Sequence, residues 1–371
     1  MQVKRRMFME ISEWLSKNSA DLAIFTSPAS IFYLIGYDAD PHERVMMYIV
    51  PKEGDAFLFV PALEVNRAKN TLGNLAVYGY DDNEDPYALI VQHIKEHSSK
   101  NNAVSVEFSH MTYGAYNGLH KHLPFEVTAD LTQYMNKARL NKSQDEVDKL
   151  NESGDLADEM VRFARTQLRV GITEKELVHL VENHMRDLGV QEFSFPMMAL
   201  FGDHAADPHG ENSDRALKDN EWVLMDLGVM CKGYASDMTR MTFFSTEENP
   251  EIIDRELYDL VKKAHDEAVK AAKIGMTAHE LDAIARNIIA EAGYGDYFIH
   301  RLGHGIGQSC HEFPSIVGGN DMVLEEGMCF SIEPGIYMPN RFGARVEDCG
   351  VLTKEGYKPF TSSPYASDLI N

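Results

Sequence analysis

Two segments of this chain repeat one another, and that repeat limits the fold more than any other feature. GITEKELVHLVENHMRDLGV begins at Gly171, and GMTAHELDAIARNIIAEAGY begins at Gly275, 104 residues later. Both read Gly-apolar-Thr-x-x-Glu-Leu. Thr173 with Glu176, and Thr277 with Glu280, have capping-box spacing, in which hydroxyl and carboxylate take up N–H groups left free by the first helical turn. Each pair heads a helix, and each helix stops at a glycine, Gly189 or Gly293. The likeness resumes downstream. EWVLMDLGV (221–229) aligns with GMCFSIEPGI (327–336), setting Asp226-Leu227-Gly228 beside Glu333-Pro334-Gly335. Asp237 follows the first acid by 11 residues, and Glu347 follows the second by 14. A chain written this way is expected to fold as two related halves.

The placing of the acids carries the chemistry. Asp226 and Glu333 sit inside the apolar runs VLMDLGV and CFSIEPGI, where a buried, unpaired carboxylate is costly. Ordinary hairpins with solvated acids are the plain alternative, but they do not account for acids in apolar runs. If the halves face each other, Asp226, Asp237, Glu333 and Glu347 meet at one point. Two divalent cations then balance four negative charges. Oxygen donors with one imidazole suit Mn²⁺, with Co²⁺ or Zn²⁺ as alternatives, and a histidine is expected to complete the set.

HRLGHGIGQSCHEFP (300–314) offers His300, His304 and His311. The first two are four apart, yet no glutamate follows His300, and Gly303, Gly305 and Gly307 disfavour a helix. A zinc-binding HExxH helix is therefore excluded. The glycines suit a strand or loop whose backbone closely approaches a site.

A length of 371 residues exceeds one ordinary core, so two domains are expected. With 44% hydrophobic and 25% charged residues the chain reads as globular rather than disordered. Short β-type runs at 21–27, 44–50, 55–61, 75–80 and 101–108, with a helical stretch at 87–97, predict a small α/β domain. Ser143 and Glu146 form a further capping-box signature ahead of a long helix. The boundary is expected near residue 136, giving domains 1–136 and 137–371 and an α/β (α+β) fold class. The net charge of −23 argues against a nucleic-acid partner. No apolar run approaches the roughly 18 residues of a membrane span, and residues 1–10 lack the apolar stretch of a signal peptide. Cys231, Cys310, Cys329 and Cys349 form no CxxC pair, and they read as reduced thiols of a cytoplasmic protein without a chemical role.

Taken together, MDLGVMCKGYASDMTR, HRLGHGIGQSCHEFP, SIEPGIY and ARVEDCG closely resemble the two-metal pita-bread peptidases, which include aminopeptidase P, prolidase and methionine aminopeptidase. The likeness covers the whole second domain. The first domain resembles the creatinase/prolidase-type N-terminal domain, which methionine aminopeptidase lacks, and the wording is most similar to short bacterial prolidases. The resemblance implies a small creatinase-type α/β domain followed by a pseudo-two-fold pita-bread domain. It implies metal ligands Asp226, Asp237, His304, Glu333 and Glu347, with Asp237 and Glu347 bridging, Asp226 on one metal, and His304 and Glu333 on the other. His209, in ADPHG, and His311 match the family's substrate-side histidines. His300 and Arg345 are expected to line the site, and Tyr337 to lie in the core or behind the ligands.

The activity implied is hydrolysis of the Xaa-Pro bond of dipeptides by a metal-bridged hydroxide. His311 would stabilise the oxyanion and Glu333 would pass a proton to the leaving proline nitrogen. The alternative is an aminopeptidase P that removes the residue before proline from longer peptides. An apolar pocket near Phe313 or Tyr337 is expected to take the proline ring. Many prolidases carry a basic residue just after HExP, where this chain has Ser315, so Arg301 or Arg345 is expected to meet the substrate carboxylate. A homodimer is implied, with the loop at 37–45 of the partner subunit near the cleft.

Overall fold

The computed structural model describes residues 2–248 and 250–366. The chain divides into two compact units, Met1–Ala138 and Arg139–Asn371.

The first unit is a six-stranded mixed sheet with helices between its strands. Its strands are β1 (Leu22–Phe25), β2 (Met47–Pro51), β3 (Phe57–Pro61), β4 (Ala76–Tyr80), β5 (Ala103–Val106) and β6 (Glu126–Asp130), in the order β4-β3-β2-β1-β5-β6. The helices are α1 (Gln2–Lys17), α2 (Pro28–Ile35), α3 (Ala62–Leu72), α4 (Pro86–His97), α5 (Tyr113–His122) and α6 (Leu131–Leu140). Strands β1 to β3 are buried at every residue, the mark of a sheet covered on both faces. Alternate side chains feed two cores: Ala23, Phe25, Val50, Leu58 and Val60 on one, Leu22, Ile24, Ile49, Phe57 and Phe59 on the other. The strands expected from the β-type runs form, and so does the helix expected over 87–97.

The second unit carries the duplication. Its first half holds α7 (Gln144–Gln167), α8 (Glu174–Asp187), β7 (Glu192–Phe193), β8 (Met198–Phe201), β9 (Glu221–Leu227), β10 (Val229–Cys231), β11 (Tyr234–Ala235) and β12 (Met238–Phe244). The second half holds α9 (Arg255–Ala271), α10 (Ala278–Glu291), β13 (Gly303–Gly305), β14 (Glu312–Ile316), β15 (Cys329–Ile332), β16 (Gly335–Met338), β17 (Phe342–Arg345), β18 (Asp348–Thr353) and β19 (Gly356–Pro359). Threonine caps α8 and α10 alike: Glu176 N–H donates to Thr173 Oγ1 at 3.1 Å, and Glu280 N–H to Thr277 Oγ1 at 3.1 Å. Gly189 and Gly293 close the two helices at φ 97° and 91°, a left-handed conformation in which a Cβ would be strained. Helix α7 begins where Ser143 and Glu146 predict, with the Glu146 carboxylate accepting from the Ser143 N–H at 2.9 Å.

Each helix pair backs its own antiparallel sheet, β12-β9-β8 in one half and β14-β13-β15-β18-β19 in the other. The acids of the repeat stand at matching places. Asp226 lies in β9 opposite Thr239 of β12, and Glu333 directly follows β15, which pairs with β18. The large core of the second half, built on Leu281, Ala285, Phe330 and Ile332, is buried and fixes these strands from behind.

Candidate metal centre and its cavity

Strands from both halves and the turns beside them bring the five expected ligands to the wall of one cavity. The Nε2 of His304 lies 3.2 Å from Glu333 Oε1 and 3.5 Å from Asp237 Oδ2. Donor atoms of His304, Glu333 and Glu347 lie within 4.8 Å of one another, as do those of Asp237, His304 and His311. Asp237, His304 and Glu347 are each 5% exposed or less, so solvent cannot balance their charge. His304 is turned by its own strand, its Nδ1 3.1 Å from the Gly305 carbonyl, which leaves Nε2 for the centre. Ser331 Oγ takes the His304 N–H at 2.9 Å and donates to Glu333 at 3.0 Å, tying the two together.

The electrostatics show a centre lacking positive charge. Burial pushes Asp237 up to about 7, and the charge of Asp226 adds to it. Burial, with Asp237 and Glu333 next, drives Glu347 well above the carboxylate range. Asp226 is raised by burial although Arg345 opposes it. Glu333 alone overcomes its burial, because the hydrogen bond and charge of His304 hold it at about 2. Among the described residues, Asp226 Oδ1 and Glu347 Oε1 are buried with no hydrogen-bond partner, an arrangement normally costly. Orphaned carboxylate oxygens beside an imidazole are the donor set of a divalent cation site, so the residues fit the metals that the sequence implies.

Behind the acids runs a hydrogen-bonded chain. Arg345, 4% exposed, donates through Nη2 to Asp226 at 2.5 Å, through Nη1 to the Tyr337 hydroxyl at 2.8 Å, and through Nε to Thr239 at 2.8 Å. Thr239 in turn donates to Glu347 Oε2 at 2.8 Å. His300 Nε2 stands 3.0 Å from the Tyr337 hydroxyl, and its Nδ1 2.7 Å from the Arg301 carbonyl. Burial lowers His300 below its ordinary value, with Glu333 opposing, and raises Tyr337 to about 12. Three of the five N–H donors of Arg345 are thus committed to the scaffold of the centre.

The centre opens into a cavity of about 1030 Å³. His209, His300, Arg301, His311 and Tyr337 all line it, together with the five candidate ligands. The His311 ring meets that of His304 edge-on, centroids 4.2 Å apart. Burial, then the nearby His304 and Arg301, lowers His311 to about 4 and keeps it neutral at pH 7. Among the described residues the Arg301 guanidinium makes only a long 3.4 Å contact, to Ser315 Oγ. Phe313, expected near the proline pocket, is 45% exposed and does not line the cavity. Its neighbour Glu312 points inward to Arg139 and Lys142, so strand alternation turns Phe313 to the opposite, solvent side. The apolar wall is built instead by Val178, Phe195, Pro196, Met198, Pro208 and Ile299.

Sequence reasoning missed that wall, Thr239 and Cys310, whose thiol lies 3.0 Å from Asp237. Thr239 had a signal: it lies two residues beyond Asp237 at the start of a strand, and so shares its face. The apolar wall had none, since its residues come from distant segments.

Residues 148–354 match the model of metallopeptidase family M24, and residues 9–141 that of the creatinase/prolidase N-terminal domain. The chain is 44% identical over 354 residues to an Xaa-Pro dipeptidase of Lactobacillus delbrueckii subsp. lactis, and 42% identical over 354 residues to one of Lactobacillus helveticus. Each alignment covers 95% of both chains. The solved prolidase of Pyrococcus horikoshii OT3 superimposes with a TM-score of 0.87 at 33% identity, over 96% of this chain and 98% of that one. The chain belongs to metallopeptidase family M24 and is a hydrolase that carries a creatinase/prolidase N-terminal domain ahead of its pita-bread domain.

Proposed function

We propose that this hydrolase is an Xaa-Pro dipeptidase whose second domain, from residue 137 onward, holds two divalent cations through Asp226, Asp237, His304, Glu333 and Glu347. The observation that carries the reading is the pair of orphaned, buried oxygens on Asp226 and Glu347, two acids that line one cavity. The relatives named for Xaa-Pro dipeptidase activity support the substrate. Mn²⁺ is the proposed occupant, since oxygen donors predominate. Bound there, the cations would lower the pKa of a water and make hydroxide available near neutral pH. Asp237 and Glu347 are proposed to bridge the two.

The remaining residues bind, orient and move protons. His311, neutral and facing the cavity, donates a hydrogen bond to the oxygen of the scissile carbonyl as charge develops there. His209 stands on the cavity rim beside it. Glu333 carries the proton from the water to the leaving proline nitrogen, which is a tertiary amide without its own N–H and must be protonated as the bond breaks. His300 and Tyr337, joined at 3.0 Å, keep Arg345 on Asp226. Arg301 is the guanidinium left to receive the free carboxylate of the dipeptide. The free state of all four cysteines supports a cytoplasmic setting, and the family resemblance supports a homodimer.

The test is hydrolysis of Leu-Pro, Leu-Ala and Leu-Pro-Gly by metal-stripped protein reloaded with Mn²⁺. Cleavage of Leu-Pro alone is expected. Strong cleavage of Leu-Pro-Gly would make the enzyme an aminopeptidase P, and no metal-dependent cleavage of any of the three overturns the reading.

A further inference from the structure

Glu312 is a carboxylate that the reaction does not use, yet its side chain is only 6% exposed. It stands one residue after His311, directly opposite Gly305 in the β13–β14 pair, beside the ligand His304. Two cations close on it. Arg139 Nη2 forms an ion pair with Oε1, and Lys142 Nζ, on a side chain 2% exposed, lies 3.2 Å from Oε2. The Ser309 N–H adds a third contact at 2.9 Å, and Arg139 also donates to Ser309 Oγ at 3.2 Å. Burial works against the charge of Glu312, but Lys142 and Arg139 outweigh it and hold the carboxyl below its ordinary range.

The anchor is itself tied to the sheet. Asn141 bridges Met328 at the entry to β15, Lys142 N–H donates to the Gly327 carbonyl at 2.8 Å, and Asn141 Nδ2 to the Glu326 carbonyl at 2.8 Å. Strand β15 pairs with β13 at Phe330–Gly305, so the path from His304 through β15 to Lys142 and Glu312 closes on itself. Gly307 makes room for it: a Cβ there would lie 2.6 Å from Glu312 Oε2 and 2.8 Å from Oε1. By contrast, among the described residues no hydrogen bond holds the His311 ring.

We infer that Glu312 is a positioning residue: clamped by Arg139 and Lys142, it fixes the loop 307–311 and thereby sets His311 over the metal centre. Replacing such a charged, buried cluster with apolar side chains is often neutral for stability. What the ions supply here is the orientation of one imidazole. This inference rests on the proposed role of His311.

A double-mutant cycle on the Mn²⁺-loaded full chain tests it, with kcat and KM for Leu-Pro and bound Mn²⁺ as readouts. E312Q is expected to lower kcat about 10- to 100-fold, as loss of a partner that orients an active group does, with KM and Mn²⁺ stoichiometry unchanged. In the H311A background the same substitution should change kcat less than twofold. Equal losses in both backgrounds would mean that Glu312 acts through general structure, and would overturn the inference. If E312Q does not fold, R139K, which keeps the charge but loses the planar fork, runs through the same cycle: a loss confined to the His311 background supports the inference, and equal losses overturn it. An H311A enzyme with wild-type kcat would overturn the role of His311 and this inference with it. Cleavage of none of the peptides by the wild type would instead mark failure of the dipeptidase reading itself.

Discussion

Glu347 and Asp348 are adjacent in sequence, both buried, and electrostatically opposite. Asp348 faces a region that supplies its own counter-ions: Arg240 at 2.6 Å, His265 at 3.1 Å, and the hydroxyls of Thr361 and Tyr365 at 2.5 Å each. Burial would raise it, but Arg240 and His265 hold it far below the carboxylate range. Glu347 faces the other way, into the acid cluster, with one oxygen on Thr239 and the other unpartnered. Neighbouring positions thus carry a finished ion pair on one face and an unbalanced charge on the other. The fold neutralises an acid with its own residues where the charge is structural, and leaves it unbalanced where an outside cation is to bind. The two regions also meet, because Arg240 Nη1 donates to the Glu347 carbonyl at 2.6 Å.

If that contrast is right, E347A should abolish function and spare the fold. Its kcat/KM on Leu-Pro should fall about 10³-fold or more, since a metal contributes several kcal/mol to such a reaction. Its metal-free melting temperature should hold or rise, because an uncompensated buried acid is gone. A clear drop in metal-free stability would break the comparison. D348N should do the reverse. Leaving Arg240 buried beside a neutral partner costs about 3–5 kcal/mol, read as a lower urea midpoint, while whatever folds still binds Mn²⁺.

Thr239 lies on the seam, and T239V should weaken Mn²⁺ binding about 10- to 100-fold by removing the hydrogen bond that orients Glu347. Calorimetric titration of Mn²⁺ into the metal-free variant reads this directly.

The smallest effect concerns pH. In the metal-free protein Asp237 titrates at about 7, against about 3.9 in the unfolded chain. Between those values the folded protein holds a proton that the unfolded chain releases, so its stability falls as pH rises through the window. Urea midpoints of metal-free protein should therefore decline from about pH 4.5 to about 7, and D237N should flatten the decline. A rising midpoint in the wild type would mean that the cluster is already balanced by groups within the protein.

What could be read from the sequence followed the reach of the forces. The capping boxes at Thr173 and Thr277 are local, spanning three residues, and both form. Asp226 and Glu333 were legible because apolar flanks made their charge anomalous, and duplication made the anomaly appear twice. Arg345 was legible as a site residue but not in its task. That task depends on Asp226 and Thr239, more than 100 residues away. The Arg240–Asp348–His265 cluster and the apolar wall around Phe195 and Ile299 left no periodic trace for the same reason. Phe313 misled because an aromatic close to a cavity-lining histidine suggests a pocket, whereas strand alternation turns it outward.

The four acids and one imidazole proposed for the centre enter the chain in the order 226, 237, 304, 333, 347, each in or next to a different strand. No fragment that stops short of Glu347 contains the complete set. With these five as its metal ligands, a growing polypeptide leaves the ribosome without a complete centre until almost all of the second unit has been made. A peptidase assembled this way is silent as a nascent chain, without needing an inhibitory segment to keep it so.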